Sequence, residues 1–244
     1  MSEPDPHAPR TDTDALLAQY ERLLERVESN EREFRRLGRA VWRVEEDERR
    51  RLARELHDGL GQTLTALKHR LVQLGDAVAP QARERLDAAI ALCGDALEDT
   101  RTLSRLLRPP ILDDLGLEPA LRALARTLGE ASGLAIDVQV EGLPALDDDL
   151  QTLVFRVAQE ALNNAAKHAQ AKQVLLRLVA RGGLLQLQVV DDGRGCDPDQ
   201  MLRAGGSGLG GMRERLRLYG GTLELHSAVG EGTRLRAVVP VGGA

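Results

Sequence analysis

The sequence predicts an α+β protein in which a coiled coil and an antiparallel helical hairpin precede a domain built on a mixed sheet. Three patterns predict this fold class: a heptad repeat near the N-terminus, two leucine-rich helical stripes in the middle, and alternating apolar and polar residues toward the C-terminus. Hydrophobic residues make up 42% of the 244-residue chain, which is enough for a core, whereas aromatic residues make up only 2%. Leu, Val and Ala must therefore form that core.

The N-terminal part predicts a short disordered tail followed by a coiled coil. Residues 1–13 are rich in Pro and Asp, a composition typical of disorder. Residues 14–44 carry a heptad seam formed by Leu16, Tyr20, Leu23, Val27, Asn30, Phe34, Leu37, Val41 and Val44. A lone polar residue such as Asn30 typically fixes the register of a coiled coil. The alternative is a single amphipathic helix that packs on its own domain.

Residues 45–112 predict a helical hairpin that dimerises into a four-helix bundle. The seam stops at the charged run 45–51, and a new stripe begins out of phase with it at Leu52, Leu56, Leu60, Leu64, Leu67, Leu71, Leu74 and Val78. A helix that continues through this break must rotate its buried face, so we hypothesise that the break converts an input from the coil into helix rotation. After a turn at 75–80, a second helix runs to Pro109. Two such helices alone cannot bury both stripes.

Residues 113–244 predict an α/β sandwich with helices on one face of a mixed sheet. Helices are expected at 117–131, from 147–149 to about His168, and near 210–218. Strands are expected at 135–141 and in four later segments, which alternate apolar and polar residues. The turn Arg181-Gly182-Gly183 joins two of those strands as a hairpin.

Composition disfavours several classes of protein. A net charge of −5 and the shortage of aromatic side chains argue against direct nucleic-acid binding. The two cysteines, Cys93 and Cys196, cannot build a disulfide framework or a four-cysteine metal site. No apolar run reaches the length of a membrane span, and the polar N-terminus lacks a signal core. We therefore expect a cytoplasmic protein.

The stretch RELHDGLGQTL, residues 54–64, carries a candidate nucleophile. His57 stands beside Asp58 on the leucine-striped helix, and Gln62 follows one turn later. A neutral imidazole keeps a lone pair near pH 7, and an adjacent carboxylate can orient the ring or take its proton. These residues predict a helix-borne histidine that accepts a group. His7, His69 and His226 have no such surroundings and are interpreted as structural.

A second set of residues predicts a pocket for ATP and Mg²⁺. Helical spacing would put Glu160, Asn164, Lys167 and His168 on one face, where an Asn oxygen suits Mg²⁺ and a lysine can neutralise phosphate charge. Asp191 ends an apolar strand and can accept a hydrogen bond from an adenine amino group. The glycine-rich segment 206–212 offers backbone N–H groups to phosphates. Taken singly, each feature is more typical of a solvated helix end or a turn.

The order of these motifs resembles the GHKL ATPase family: an asparagine box, Asp-x-Gly-x-Gly, a second glycine box and a final Gly-x-Gly-Thr. With the histidine-bearing hairpin upstream, residues 45–240 resemble a two-component sensor histidine kinase. The resemblance is to the subclass that pairs with response regulators carrying a helix-turn-helix output domain. It rests on the segments ELHDGLGQ, LRPPILDDLGL, EALNNAAKHA and GLGGMRERL.

The resemblance implies a role for each matching residue. His57 matches the phosphoacceptor, Asn164 the Mg²⁺ ligand, Glu160 the acidic residue before it, and Asp191 the residue that reads adenine. Asp58 and Gln62, four residues apart, resemble the phosphatase motif of the subclass. The remaining matches concern cofactor binding, and they are Lys167, His168, Gly193, Gly195, Gly206, Gly208, Gly210 and Thr233.

The expected protein is thus a homodimeric histidine kinase that uses ATP and Mg²⁺ to phosphorylate His57. The phosphoryl group would pass to an aspartate in the receiver domain of a response regulator, which the same protein would also dephosphorylate. An upstream sensor partner could act through the N-terminal coiled coil. The alternative is a catalytically degenerate nucleotide-binding scaffold of the same fold. A GHKL serine kinase or anti-sigma factor is disfavoured because such proteins lack the hairpin.

Overall fold

The computed structural model describes residues 10–75, 78–196 and 207–241, and the chain divides into two units, Met1–Trp42 and Arg43–Ala244. The first unit is helical. Helix α1, Arg10–Glu55, begins in this unit and ends in the second. Residues 10–13 were expected to belong to a disordered tail, but they are helical, because the helix starts before the seam. Residues 1–9 lie outside the described residues.

The heptad seam is not buried by a single chain. Its apolar side chains, from Leu16 to Val44, are 54–70% exposed. Exposed ion pairs one turn apart, Glu28 with Arg32 and Glu31 with Arg35, accompany the seam and add a little helix stability. An uncovered apolar seam on a charged helix is typical of a coiled-coil strand without its partner.

The second unit begins with the predicted hairpin. After α1, a π-helical turn π1 covers Leu56–Gly61, followed by α2, Gln62–Leu74, and α3, Pro80–Leu107. The thiol of Cys93 donates to the Leu64 carbonyl at 3.3 Å, and the Ser104 hydroxyl donates to the Ala53 carbonyl at 3.0 Å. Helix α3 ends where proline disfavours the α conformation of the residue before it, here Arg108.

The hairpin also leaves apolar side chains in solvent. Cys93 and Leu97 are buried between its helices, but several residues of both helices are about half exposed or more, namely Leu60, Leu67, Val72, Leu74, Leu92 and Leu103. Soluble monomers rarely expose so many large apolar side chains on one element, and such surfaces commonly mark an interface.

A mixed five-stranded sheet follows a short linker, residues 108–116, which joins the hairpin to the next domain. The helices are α4 Pro110–Leu115, α5 Leu117–Ser132, α6 Asp148–Asn164, a second π-helical turn π2 at Ala165–Ala169, and α7 Ser207–Leu218. The strands are β1 Ala135–Glu141, β2 Gln173–Arg181, β3 Leu184–Asp191, β4 Thr222–Ser227 and β5 Thr233–Pro240. The strand order is β1-β2-β3-β5-β4; β1 and β2 are parallel, and the other pairs are antiparallel.

The core lies between one face of this sheet and helices α5, α6 and α7. Alternate residues of β2, β3 and β5 are buried, which is the period-2 pattern of a sheet covered on one face. Helix α6 starts at the Asp147 cap, whose carboxylate accepts from the Leu150 amide at 2.7 Å. Most of α6 is buried, including Phe155 and Leu162, so the helix has neighbours on several sides.

The fold class is confirmed, with one local difference. Continuous α-helices were predicted through His57 and through His168, whereas both histidines lie in π-helical turns. A π-turn has one more residue between hydrogen-bonded partners than an α-turn and therefore shifts the following side chains around the helix. Such turns occur frequently at functional sites.

Candidate active site

One cavity gathers residues from the end of α6, the end of β3, the start of α7 and strand β5. Its volume is about 260 Å³. Asn164, His168, Asp191, Gly195 and Thr233 line it together with apolar side chains, including Val189, Leu209, Leu225 and Leu235. An apolar slot with a few converging polar groups is the usual composition of a site for a small organic molecule.

Asp191 is the buried polar group of this cavity. Its side chain is 8% exposed, and its Oδ1 accepts from the Gly193 amide at 3.0 Å. Within the described residues no hydrogen bond reaches Oδ2. A carboxylate oxygen that lines an apolar slot without a partner can accept a hydrogen bond from a ligand amino group. The strand-end position predicted for Asp191 is confirmed by its pairing with Thr233.

Three glycines allow backbone segments to approach each other beside Asp191. A Cβ on Gly193 would overlap the carbonyl of Ala169, a Cβ on Gly195 would overlap that of Ala228, and a Cβ on Gly232 would overlap that of Asp191. Gly195 and Gly232 also have positive φ angles of 63° and 73°, which favour glycine. Gly232 was part of the recognised Gly-x-Gly-Thr segment but not one of the predicted site residues.

The asparagine box is only partly arranged as predicted. The Asn164 amide donates weakly to Glu160 Oε1 at 3.5 Å, and a Cβ on Gly208 would overlap the same carboxylate. The prediction that all four box residues share one face assumed a continuous α-helix, and the turn π2 shifts the angular positions of Lys167 and His168 from those expected. His168 lines the cavity, whereas Lys167 is exposed and does not line it.

Gly206 and Gly210 are the two other glycines predicted for the second glycine box, and the structure describes only Gly210. Gly206 lies outside the described residues. Gly210 has open space around the position of a Cβ, so it makes no close approach of the kind made by Gly193.

Arg194 is a residue of the site that the sequence reasoning did not single out. Its amide donates to the Ala169 carbonyl at 2.7 Å, and its Nε donates to the His168 carbonyl at 2.8 Å. Its own carbonyl accepts from the Gly230 amide at 2.6 Å. Arg194, in the loop that contains Gly193 and Gly195, therefore links the end of the asparagine box to the loop that contains Gly230 and Gly232. The signal available in the sequence was its position between Gly193 and Gly195.

Asp192, next to the buried Asp191, has a different environment. Its exposed carboxylate accepts from the backbone amides of Gln173 and Lys172, both at 2.8–2.9 Å. These hydrogen bonds hold the pKa of Asp192 below its usual value, because they stabilise the ionised form. Asp192 thus fastens the start of β2 to the end of β3.

The predicted acceptor lies on a separate surface. His57 is exposed and borders a groove of about 670 Å³ between α2 and α3. Gln62, Thr65, His69 and Arg101 also line this groove. Within the described residues, no hydrogen bond reaches the imidazole of His57, so the predicted contact with Asp58 is not seen. The ring is open to solvent.

Asp58 and Gln62 were predicted to share one helix face because they are four residues apart. In a π-turn a residue pairs with the fifth residue beyond it, so the shared face is disturbed at π1. Gln62 lines the groove beside His57, and Asp58 does not. Both side chains are exposed.

Among the described residues, no cluster of three or more His, Cys, Asp or Glu side chains could hold a metal ion. In the same part of the chain, no helix is both long enough and apolar enough to cross a membrane.

Two glycine substitutions can distinguish the effect of a Cβ that overlaps neighbouring backbone from the effect of a positive φ angle alone. Gly232→Ala should weaken ATP binding by about tenfold or more, because the new Cβ would push β5 away from the Asp191 carbonyl. Gly230→Ala is the matched control: Gly230 also has a positive φ, 87°, but nothing surrounds its Cβ position. Titration calorimetry with a non-hydrolysable ATP analogue should show Gly230→Ala within about twofold of wild type. Equal losses in both variants would contradict the close-approach argument.

Two families of known proteins match the second unit, one at the hairpin and one at the domain with the sheet. The family described as "Histidine kinase" matches residues 48–112, and the family described as "Histidine kinase-, DNA gyrase B-, and HSP90-like ATPase" matches residues 149–243. The sensor histidine kinase MctS of Rhizobium johnstonii is 36% identical over 210 residues, which are 84% of this chain and 45% of that relative. This chain thus spans less than half the length of that curated relative.

A solved structure has a similar fold. The histidine kinase domain of the blue-light activated histidine kinase EL346 from Erythrobacter litoralis aligns with a TM-score of 0.50 at 22% identity, over 74% of this chain and 94% of that domain. This likeness concerns the fold alone. From the two family matches and the curated relative, the chain belongs to the two-component sensor histidine kinases that carry a GHKL-type ATPase domain.

Proposed function

We propose that this chain is a homodimeric kinase that transfers the γ-phosphoryl group of ATP to His57 and then to an aspartate of a response regulator. The proposal is supported by two features of the same chain: the exposed imidazole of His57 on the hairpin, and the cavity around Asp191, whose lining suits a nucleotide. The proposed domains are a coiled coil at 14–44, a phosphoacceptor hairpin at 45–112 and an ATP-binding domain at 113–244. The coiled coil is the proposed contact for an upstream sensor partner.

The residues of the cavity suit ATP chemically. Asp191 Oδ2 can accept from the adenine 6-amino group, and the apolar side chains of Val189 and Leu235 can flank the base. Asn164 would supply a side-chain oxygen to Mg²⁺, which otherwise keeps waters and phosphate oxygens. Bound Mg²⁺ would neutralise negative charge on the phosphates during transfer.

The chemistry at His57 is a substitution at phosphorus. The imidazole nitrogen that holds the lone pair forms a bond to the γ-phosphorus, the bond from that phosphorus to its bridging oxygen breaks, and ADP leaves. The proton on the other ring nitrogen passes to solvent or to the adjacent Asp58 carboxylate. Because His57 is exposed, the protein contributes mainly by positioning the donor.

A second copy of this chain is the proposed cover for the exposed apolar residues of the hairpin, such as Leu60 and Leu67. A four-helix bundle formed by two hairpins would bury them. The same dimer would pair the heptad seams of two α1 helices.

Labelling with γ-labelled ATP tests the kinase reaction. Wild type should acquire acid-labile, alkali-stable label, and His57→Gln should acquire none, because a nitrogen–phosphorus bond has those stabilities and only one ring is proposed to form it. His69→Gln is the matched control, since His69 is exposed and borders the same groove; it should label like wild type. Nucleotide binding without any label in wild type would favour the degenerate scaffold instead.

Gln62 is the proposed phosphatase residue. Its amide can hold a water in line with an aspartyl phosphate on a bound receiver domain. Gln62→Ala should keep autophosphorylation but slow the dephosphorylation of a receiver domain by about a hundredfold, because the water loses its position. Gln73→Ala, on the same helix and in the same groove, should change neither rate. Loss of both activities in Gln62→Ala would overturn the assignment.

A further inference from the structure

A group of charged side chains, three of them buried, joins α1, the linker and the ATP-binding domain within the second unit. We call Glu46, Arg108, Asp113 and Arg156 the charge cluster. Glu46, Arg108 and Arg156 are only 5%, 6% and 4% exposed. Charged side chains are rarely this deeply buried unless they are paired. Neither the ATP cavity nor the groove at His57 uses any of the four.

All three guanidinium nitrogens of Arg156, on α6, donate hydrogen bonds. Its Nε donates to Glu46 Oε1 at 2.9 Å, and its Nη2 donates to Glu46 Oε2 at 2.7 Å, a bidentate arrangement. Its remaining nitrogen donates to Gln159 at 2.7 Å, and Nη2 also donates to the Leu107 carbonyl at 2.5 Å. One side chain of the ATP-binding domain therefore holds both α1 and the end of α3.

Arg108 extends the cluster into the linker. Its Nη1 lies 3.7 Å from Glu46 Oε2, and its Nη2 donates to Asp113 Oδ1 at 2.8 Å. Arg50 of α1 donates to the other oxygen of Asp113 at 2.9 Å. The linker helix α4 is thereby fixed against α1.

Glu46 is the residue on which this arrangement depends. It is the carboxylate within reach of both buried guanidinium groups, Arg108 and Arg156. Burial lowers the pKa of Arg156 in spite of its hydrogen bonds to Glu46, so desolvation of the guanidinium is the larger effect. Without the Glu46 carboxylate, Arg156 would lose its ion pair while it stays buried beside Arg108, which keeps its pair with Asp113, and the contact between α1 and α6 should open.

We propose that the charge cluster is a latch that holds the ATP-binding domain on α1 and keeps autophosphorylation of His57 slow. In the latched arrangement the cavity around Asp191 and the groove at His57 have no lining residue in common among the described residues. Glu46 belongs to the helix that carries the heptad seam, so a rotation of that helix would withdraw its carboxylate from Arg156. The kinetic part of this inference rests on the proposed function.

Amide hydrogen exchange tests the latch without any need for activity. Glu46→Gln in the full chain should speed exchange in residues 108–115 and in the middle of α6, around Arg156, by about fivefold or more, because these segments lose their buried partner. Glu45→Gln is the matched control: Glu45 is the neighbouring residue, is half exposed and, among the described residues, forms its ion pair with Arg49 of the same helix at 2.7 Å. Exchange in Glu46→Gln that equals that of Glu45→Gln would overturn the latch.

Autophosphorylation then tests the inhibitory role. Glu46→Gln should raise the initial rate by about fivefold or more over Glu45→Gln, with ATP affinity unchanged within about twofold. A rate that is unchanged or lower while ATP affinity is retained would overturn the inhibitory role. If Glu46→Gln does not fold, Arg156→Lys replaces it as a milder variant, which keeps the charge but loses the bidentate contact. It should also raise the exchange rate and the autophosphorylation rate. Absence of label on wild-type His57 would refute the proposed function instead, and the exchange result would still decide the latch.

Discussion

The end of strand β3 is the point on which the site depends. Three backbone segments approach each other there so closely that Gly193, Gly195 and Gly232 leave no room for a Cβ. This packing places the Asp191 backbone opposite Thr233 of β5, holds the carboxylate beside the Gly193 amide and closes the cavity on the side of the sheet. A larger residue at any of the three positions must move backbone, which is stiffer than a side chain. The recognition chemistry of the cavity therefore follows from a constraint on the main chain.

Helix α6 connects this cavity to the rest of the molecule. Arg156 and Gln159 take part in the buried contacts with Glu46 of α1, and Glu160 and Asn164 follow at the end toward the cavity. Removing one partner of a buried ion pair typically costs about 3–5 kcal/mol, so the contact with α1 is a strong constraint on where α6 lies. One helix thus carries both the proposed latch and part of the proposed nucleotide site.

Periodicity predicted most of the elements because packing requires it. Strand β1 was predicted at its observed bounds, and the hairpin between β2 and β3 follows from Gly182 and Gly183, which both have positive φ. The π-turns at His57 and His168 were not predicted, since one extra residue in a turn leaves no compositional signal. The pair Glu46–Arg156 joins residues 110 positions apart, and helical spacing carries no information at that separation. The close approach at Gly232 likewise exists only once β3 and β5 are paired.

The proposed role of Asp191 in reading the base of a nucleotide is tested by comparing the binding of ATP and ITP. ITP has a carbonyl oxygen where ATP has the amino group that Asp191 would bind. Titration calorimetry should show that wild type prefers ATP by about tenfold or more and that Asp191→Asn loses this preference. Asp192→Asn should keep it, because that carboxylate serves only backbone amides. Equal binding of ATP and ITP by wild type, or an unchanged preference in Asp191→Asn, would show that Asp191 does not read the base.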